Sequence, residues 1–200
     1  MNARFARLDF SYSMNDATYL ANQFIIAMPT LADPVFSHTV TFLCQHNKDG
    51  ALGIVINKPA DMKLGDIFMQ MNIPVTSTTA AQAPVFSGGP VQQERGFVLH
   101  PPCGQWQASL AVSDDISLTT SRDVLEAIAI GAGPTHYLVA LGYAGWGCGQ
   151  LEKEMIENAW LTTPYGRQVI FETPISQRWS AAAGQIGIDI NKLTTMAGHG

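Results

Sequence analysis

No run of lysines or arginines breaks this sequence. Its 11 Lys and Arg stand against 16 Asp and Glu, a formal net charge of −5 at pH 7. Nonspecific binding to DNA, RNA or anionic membrane rests on neutralising phosphates with basic groups, so none is expected. Long apolar runs are missing too. None approaches the ~20 residues that a membrane-spanning helix needs. The start, MNARFARLDF, has two arginines but no apolar stretch long enough for a signal peptide. The expectation is a soluble cytoplasmic protein. Cysteine is sparse: Cys44, Cys103 and Cys148 are odd in number and widely spaced. That pattern fits reduced thiols better than a disulfide framework. Helix-turn-helix, P-loop and kinase signatures are absent, as is the G-x-S-x-G elbow of the hydrolases. There is no internal repeat, low-complexity block or inter-domain linker.

What is present suits one folded unit. Two hundred residues with 46% hydrophobic and 14% charged content can bury about 70% of the unfolded surface around one core. The expected boundaries are a flexible segment over 1–18, a single domain over 19–192 and a loose tail over 193–200. QFIIAM (23–28) reads as a buried strand. ADPVFSH follows, with Asp33 placed to cap a helical turn and Pro34 at its first position. TVTFLC (39–44) and LGIVIN (52–57) read as a hairpin around Asp49-Gly50, stopped by Pro59. LGDIFMQM (64–71) has helical spacing at Leu64, Ile67, Phe68 and Met71, and VTSTTAAQA (75–83) reads as a flexible loop.

PVFSGGPV, GFVLH and QASLAV read as short strands. LTTSRDVLEAIAIGAG is the clearest helix, with Asp123 in its first turn and Gly131 or Gly133 at its end. HYLVAL (136–141) reads as a strand, residues 150–160 as a helix, RQVIFE (167–172) as a strand and SQRWSAAAGQIG as a last helix. Strands cluster as hairpins in the first half, which favours α+β over regular βαβ alternation.

The stretch ALGYAGWGCGQ holds Gly142, Gly145, Gly147 and Gly149 around Tyr143 and Trp146. Strand, glycines, helix and a strand ending in Glu172 have the order of a dinucleotide-binding unit. The spacing G-x-x-G-x-G-x-G departs from G-x-G-x-x-G, and Glu152 and Glu154 would repel a phosphate at the helix start. The favoured reading is a tight strand-to-helix turn in which glycine lets Tyr143 and Trp146 fold back over the sheet.

Ser87-Gly88-Gly89-Pro90 reads as a turn, and Arg95 as a structural cation or an anion ligand. Cys44 with His46 and His100 with Cys103 do not match the C-x-x-C or H-x-x-x-H spacing of zinc sites, so no metal is expected. A Cys–His nucleophile pair requires spatial proximity beyond what spacing shows. Cys44 ends a buried-looking strand, and Cys148 is the thiol most open to solvent. Asp114-Asp115 reads as a solvated turn.

Seven stretches occur in order across most of the chain from about residue 20 to 161. They are PTLADPVF (29–36), CQHNKDGALGIVINKP (44–59), PVFSGGPV (84–91), RGFVLH (95–100), LTTSRDVL (118–125), LGYAGWGCGQLEKE (141–154) and NAWL (158–161). Together they resemble the AlgH/YqgE family of bacterial proteins, whose molecular function is not established. Gln45 departs from the acidic residue expected there, and Cys148 lies at a variable position. The resemblance implies a cytosolic α+β domain, a folded-over, barrel-like, mostly antiparallel sheet flanked by helices. One family member gave its name to a proposed regulatory role in alginate production, from which a transcriptional-regulator label is inherited; direct DNA binding is not expected here, and the resemblance supplies no catalytic residue and no cofactor.

The expectation is a non-enzymatic binding protein with an unknown protein or small-molecule partner. Its surface would be drawn from Gly88, Gly89, Arg95, His100, Gly145, Trp146, Gly147, Gly149 and Gln150. Two alternatives stand beside it: nucleotide or small-anion binding by the Gly145–Gly149 backbone with Arg95 or His100 nearby, and thiol redox sensing through Cys44, Cys103 or Cys148.

Overall fold

The apolar runs of the first half are strands, and they are continuous because the sheet is buried on both faces. In β1 (Gln23–Ala27), Phe24 and Ile26 enter one core cluster while Ile25 and Ala27 enter another. Successive strand side chains point to opposite faces, so a strand covered on both sides loses its polar alternation. The computed structural model describes residues 19–102 and 104–189. The expected flexible ends, 1–18 and 193–200, and Cys103 lie outside the described residues.

β2 (Val40–Asn47) and β3 (Gly50–Val55) form the expected hairpin, with a bulge at Cys44, between the pairs Leu43–Gly53 and Gln45–Leu52. β4 (Pro59–Lys63) pairs with β5 (Pro84–Ser87), so Pro59 opens a strand as well as ending the hairpin. Next come β6 (Val91–His100), β7 (Ser109–Ser113), β8 (Ile116–Thr119), β9 (Leu138–Gly147) and β10 (Trp160–Pro164). The strand order is β10-β1-β2-β3-β9-β6-β8-β7, with β5 beside β9. All pairings are antiparallel except β5 with β9. The sheet curls into a half-barrel flanked by helices, as an α+β domain.

Helices α1 (Leu64–Gln70), α2 (Thr78–Gln82) and α3 (Arg122–Ala129) cover β5, β6 and β9 with a core of Leu64, Phe68, Val124, Leu125 and Ile128. Helix α4 (Gln150–Ile156) covers β9 and β10 around Trp146, Leu151 and Trp160. α5 (Arg167–Phe171) and α6 (Arg178–Gly184) close the third cluster over Phe24, Phe42 and Phe97.

Three sequence expectations are corrected. Residues 75–83 are not a bare loop: the Ser77 hydroxyl accepts from the Ala80 amide at 3.2 Å, and the short α2 buries Ala80. RQVIFE is helical, because Val169 and Ile170 both reach the core from adjacent positions, which a strand facing one core would not allow. The helix expected over 150–160 ends at Ile156. Asn158 takes a positive φ of 55°, and Trp160–Pro164 pairs with β1 as an unexpected strand.

Candidate functional site

Of the glycines after HYLVAL, Gly142, Gly145 and Gly147 lie in a strand, and the expected strand-to-helix turn is confined to Cys148-Gly149. β9 runs on to Gly147, pairing with β3 from Gly53–Ala144 to Gly50–Gly147. The chain leaving β5 crosses β9 here: the Gly88 amide donates to the Leu141 carbonyl at 2.8 Å, and Val91 pairs with Tyr143 on the far side. The crossing is backbone on backbone. A Cβ on Gly88 would lie 2.3 Å from the Gly142 oxygen, and one on Gly89 would lie 2.1 Å from the Tyr143 carbonyl carbon. Ser-Gly-Gly-Pro is this crossing rather than a simple turn. The dinucleotide order dissolves as well, since Gly142, Gly145 and Gly147 lie in a strand and the segment before Glu172 is a helix.

Trp146 belongs to the core. It is 6% exposed and sits 5.9 Å from Trp160 and 6.1 Å from Phe36, ring centre to ring centre. Phe36 is delivered by the expected turn, in which the Asp33 carboxylate accepts from the Val35 and Phe36 amides at 2.8 and 3.0 Å. One Glu154 oxygen accepts from both indoles, at 2.9 Å from Trp146 Nε1 and 2.8 Å from Trp160 Nε1. Gln150 donates to the other Glu154 oxygen and accepts from the Gly147 amide. Glu154 therefore faces inward, where its carboxylate serves the two indoles, a role its place near the helix start does not reveal. Gly149, with φ 70°, starts α4.

The proposed contact patch is thus divided. Gly145, Gly147, Gly149 and Gln150 are exposed, whereas Gly88, Gly89, Arg95 and Trp146 are buried. Beside Gly145 lies an open groove of about 410 Å³. Gln45, Asn47 and Asp49 line it with polar atoms, and Leu52, Val91 and Tyr143 with apolar ones. A Cβ on Gly145 would point between the Tyr143 ring, at 3.1 Å, and the Val91 methyl, at 3.7 Å. The polar lining comes from the β2–β3 hairpin end, which the sequence reading treated as a turn alone.

Arg95 lies next to this groove, not in its lining. Its guanidinium sits 5.6 Å over the Phe97 ring and donates to Gln92 at 3.2 Å. Burial lowers its pKa, while nearby Tyr143 acts in the opposite sense. His100 is at the other end of β6, five residues on, roughly 17 Å at strand rise. It lines a different cavity, so Gly145 and His100 face separate hollows.

Cys44 is 3% exposed and burial pushes its thiol pKa far up, whereas Cys148 is exposed. The expectation for Cys103 lies outside the described residues. Among the described residues, no three His, Cys, Asp or Glu side chains cluster to hold a metal ion.

Comparison with known proteins agrees with this architecture. The family model described as AlgH-like matches residues 24–191. A UPF0301 protein of Methylococcus capsulatus is 56% identical over 93% of this chain and 99% of its own length. One from Nitrosococcus oceani is 51% identical over 93% of this chain and 100% of its own. The solution structure of the AlgH protein from Pseudomonas aeruginosa, 44% identical, covers 94% of this chain and 100% of that one with a TM-score of 0.76. A Corynebacterium diphtheriae protein shares the fold at 14% identity, with a TM-score of 0.71 over 90% of this chain and 94% of its own. The chain therefore belongs to the AlgH-like, or UPF0301, family.

Proposed function

We propose that this chain is a non-enzymatic binding protein of the cytoplasm, and that the groove beside Gly145 receives its partner. The observation that carries this reading is Gly145 itself. Gly50, Gly89 and Gly142 have positive φ and touch backbone, so their geometry demands glycine. Gly145 has neither constraint: its φ is not in the left-handed region, and its nearest neighbours are side chains. In a mid-sheet strand, glycine forgoes packing and costs conformational entropy. What it preserves at this position is space. A hollow of about 410 Å³ matches one small molecule or one anchoring side chain of a protein partner.

Asp49 in the lining and the net charge of −5 disfavour a nucleotide or other anion in this groove. The same charge makes any regulatory role indirect, through a partner rather than through DNA. Sparse cysteine supports a cytoplasmic location. Among the described residues, no helix is long and apolar enough to cross a membrane.

The test is a screen of uncharged amide-bearing aromatic fragments, with nucleotides as a second arm, read by amide NMR shifts. Fragments should move the Gly50, Gly145 and Gly147 amides of the wild type and fail to do so in Gly145→Val, which fills the groove. Gly147→Ala, whose Cβ meets only Gln150 at 3.9 Å, should bind as wild type. Fragment shifts that avoid these amides, or persist in Gly145→Val, would refute the reading.

A further inference from the structure

A second cavity, of about 440 Å³, lies at the β6–β8–β7 end of the sheet, apart from the groove above. His100, Gln105, Trp106, Ser109 and Ser117 are among its lining residues. Three of the side chains at this end form a ladder across the strands. His100 on β6 meets Thr119 on β8, Nε2 to Oγ1, at 2.8 Å. Thr119 in turn is hydrogen-bonded to Ser109, its cross-strand partner on β7.

The direction of this ladder follows from one atom. His100 Nδ1 lies 2.7 Å from the Pro101 carbonyl oxygen, which can only accept, so Nδ1 carries the hydrogen. In the neutral ring Nε2 then has a lone pair and accepts from Thr119. Burial favours that neutral ring by lowering the pKa of His100, against the Pro101 bond, which raises it. With the Thr119 hydrogen given to His100, the Thr119 oxygen accepts from Ser109. The Ser109 hydrogen is therefore held inward, and the exposed Ser109 oxygen offers only lone pairs to the cavity.

The other features of the cavity agree on the kind of ligand. Among the described residues its lining includes no Lys, Arg, Asp or Glu, so an ion entering it would lose water without a counter-charge. Trp106 supplies an aromatic wall, and its buried Nε1–H has no hydrogen-bond partner among the described residues. The wall is held in place: the Gln107 amide donates to Asp123 at 2.9 Å and the Ala108 amide to Ser121 at 3.1 Å, both at the start of α3.

From the ladder and this lining, we propose that the cavity binds a small uncharged ring molecule through an O–H or N–H that donates to Ser109 Oγ, with the ring against Trp106. Neutral sugars and free nucleobases share this chemistry, and the experiment separates them.

The indole N–H resonance of Trp106, assigned with Trp106→Phe, is followed while the protein is titrated with neutral monosaccharides in one arm and nucleobases in the other. One arm should give a saturable shift. Ser109→Ala, at an exposed strand position, should weaken that binding by about tenfold, the loss of one hydrogen bond. A methylated form of the same ligand, with no hydrogen to give at the bonding atom, should lose affinity equally on the unaltered protein. The proposal fails if neither arm moves the resonance at tens of millimolar, or if the methylated ligand binds as well as its parent.

Discussion

Gly89 and Gly142 meet backbone to backbone: a Cβ on Gly142 would stand 2.5 Å from the Gly89 carbonyl oxygen. Two glycine motifs far apart in sequence are thus one structural feature, the place where the chain steps across β9. Gly142 also holds φ at 73°, which L side chains rarely adopt.

Gly142→Ala should therefore lower stability by about 2–4 kcal/mol, combining left-handed strain with the overlap. Gly89→Ala should cost about as much. Gly147→Ala should stay within about 0.5 kcal/mol of the wild type, as at an open surface position. Urea unfolding midpoints at constant m-value distinguish these outcomes.

The Glu154 carboxylate joins two indoles in the core cluster beneath α4. Glu154→Leu leaves both N–H groups without their acceptor and should cost about 2–4 kcal/mol, since each buried donor left unsatisfied costs ~1–3 kcal/mol. Glu154→Gln keeps one oxygen and should lose less than half of that. Thermal unfolding followed by tryptophan fluorescence reads both the loss and its place in the fold.

The cysteines should separate by reactivity. Cys148 is exposed and Cys44 is buried. In the native protein an alkylating agent should modify Cys148 and leave Cys44 untouched until denaturant is added. Peptide mass spectrometry after timed labelling gives the answer, and rapid native modification of Cys44 would restore it as a redox candidate.

Burial of Cys44 also has a pH consequence. Its folded pKa is raised by desolvation, so the thiol is neutral in the fold at pH values where the unfolded thiol ionises. Its contribution to stability is complete below the unfolded pKa of about 8.5 and shrinks above it. The decline approaches ~1.4 kcal/mol per pH unit, because the unfolded state then holds fewer protons than the folded one. Cys44→Ala should remove that part of the alkaline slope in unfolding free energies measured between about pH 8 and 10.

Local signals in the sequence determined much of this protein. The strand-like apolar runs at 23–28 and 39–44, the Asp49-Gly50 hairpin, the helical spacing of 64–71 and the Asp33 turn are patterns among near neighbours. They stand in the structure as read. The family was legible too, since its motifs keep their order. Tertiary contacts decided the rest. Trp160–Pro164 is a strand only because β1 offers an edge, and Arg167–Phe171 is a helix because its two central side chains meet one core.

The glycines show the difference best. Local pattern reads Gly142, Gly145, Gly147 and Gly149 as one tight strand-to-helix turn. In the fold Gly142 admits a crossing chain, Gly145 keeps a groove open and Gly147 faces solvent. A glycine records only that a side chain is absent. What occupies or requires the vacated space is set by strands that arrive from elsewhere in the chain.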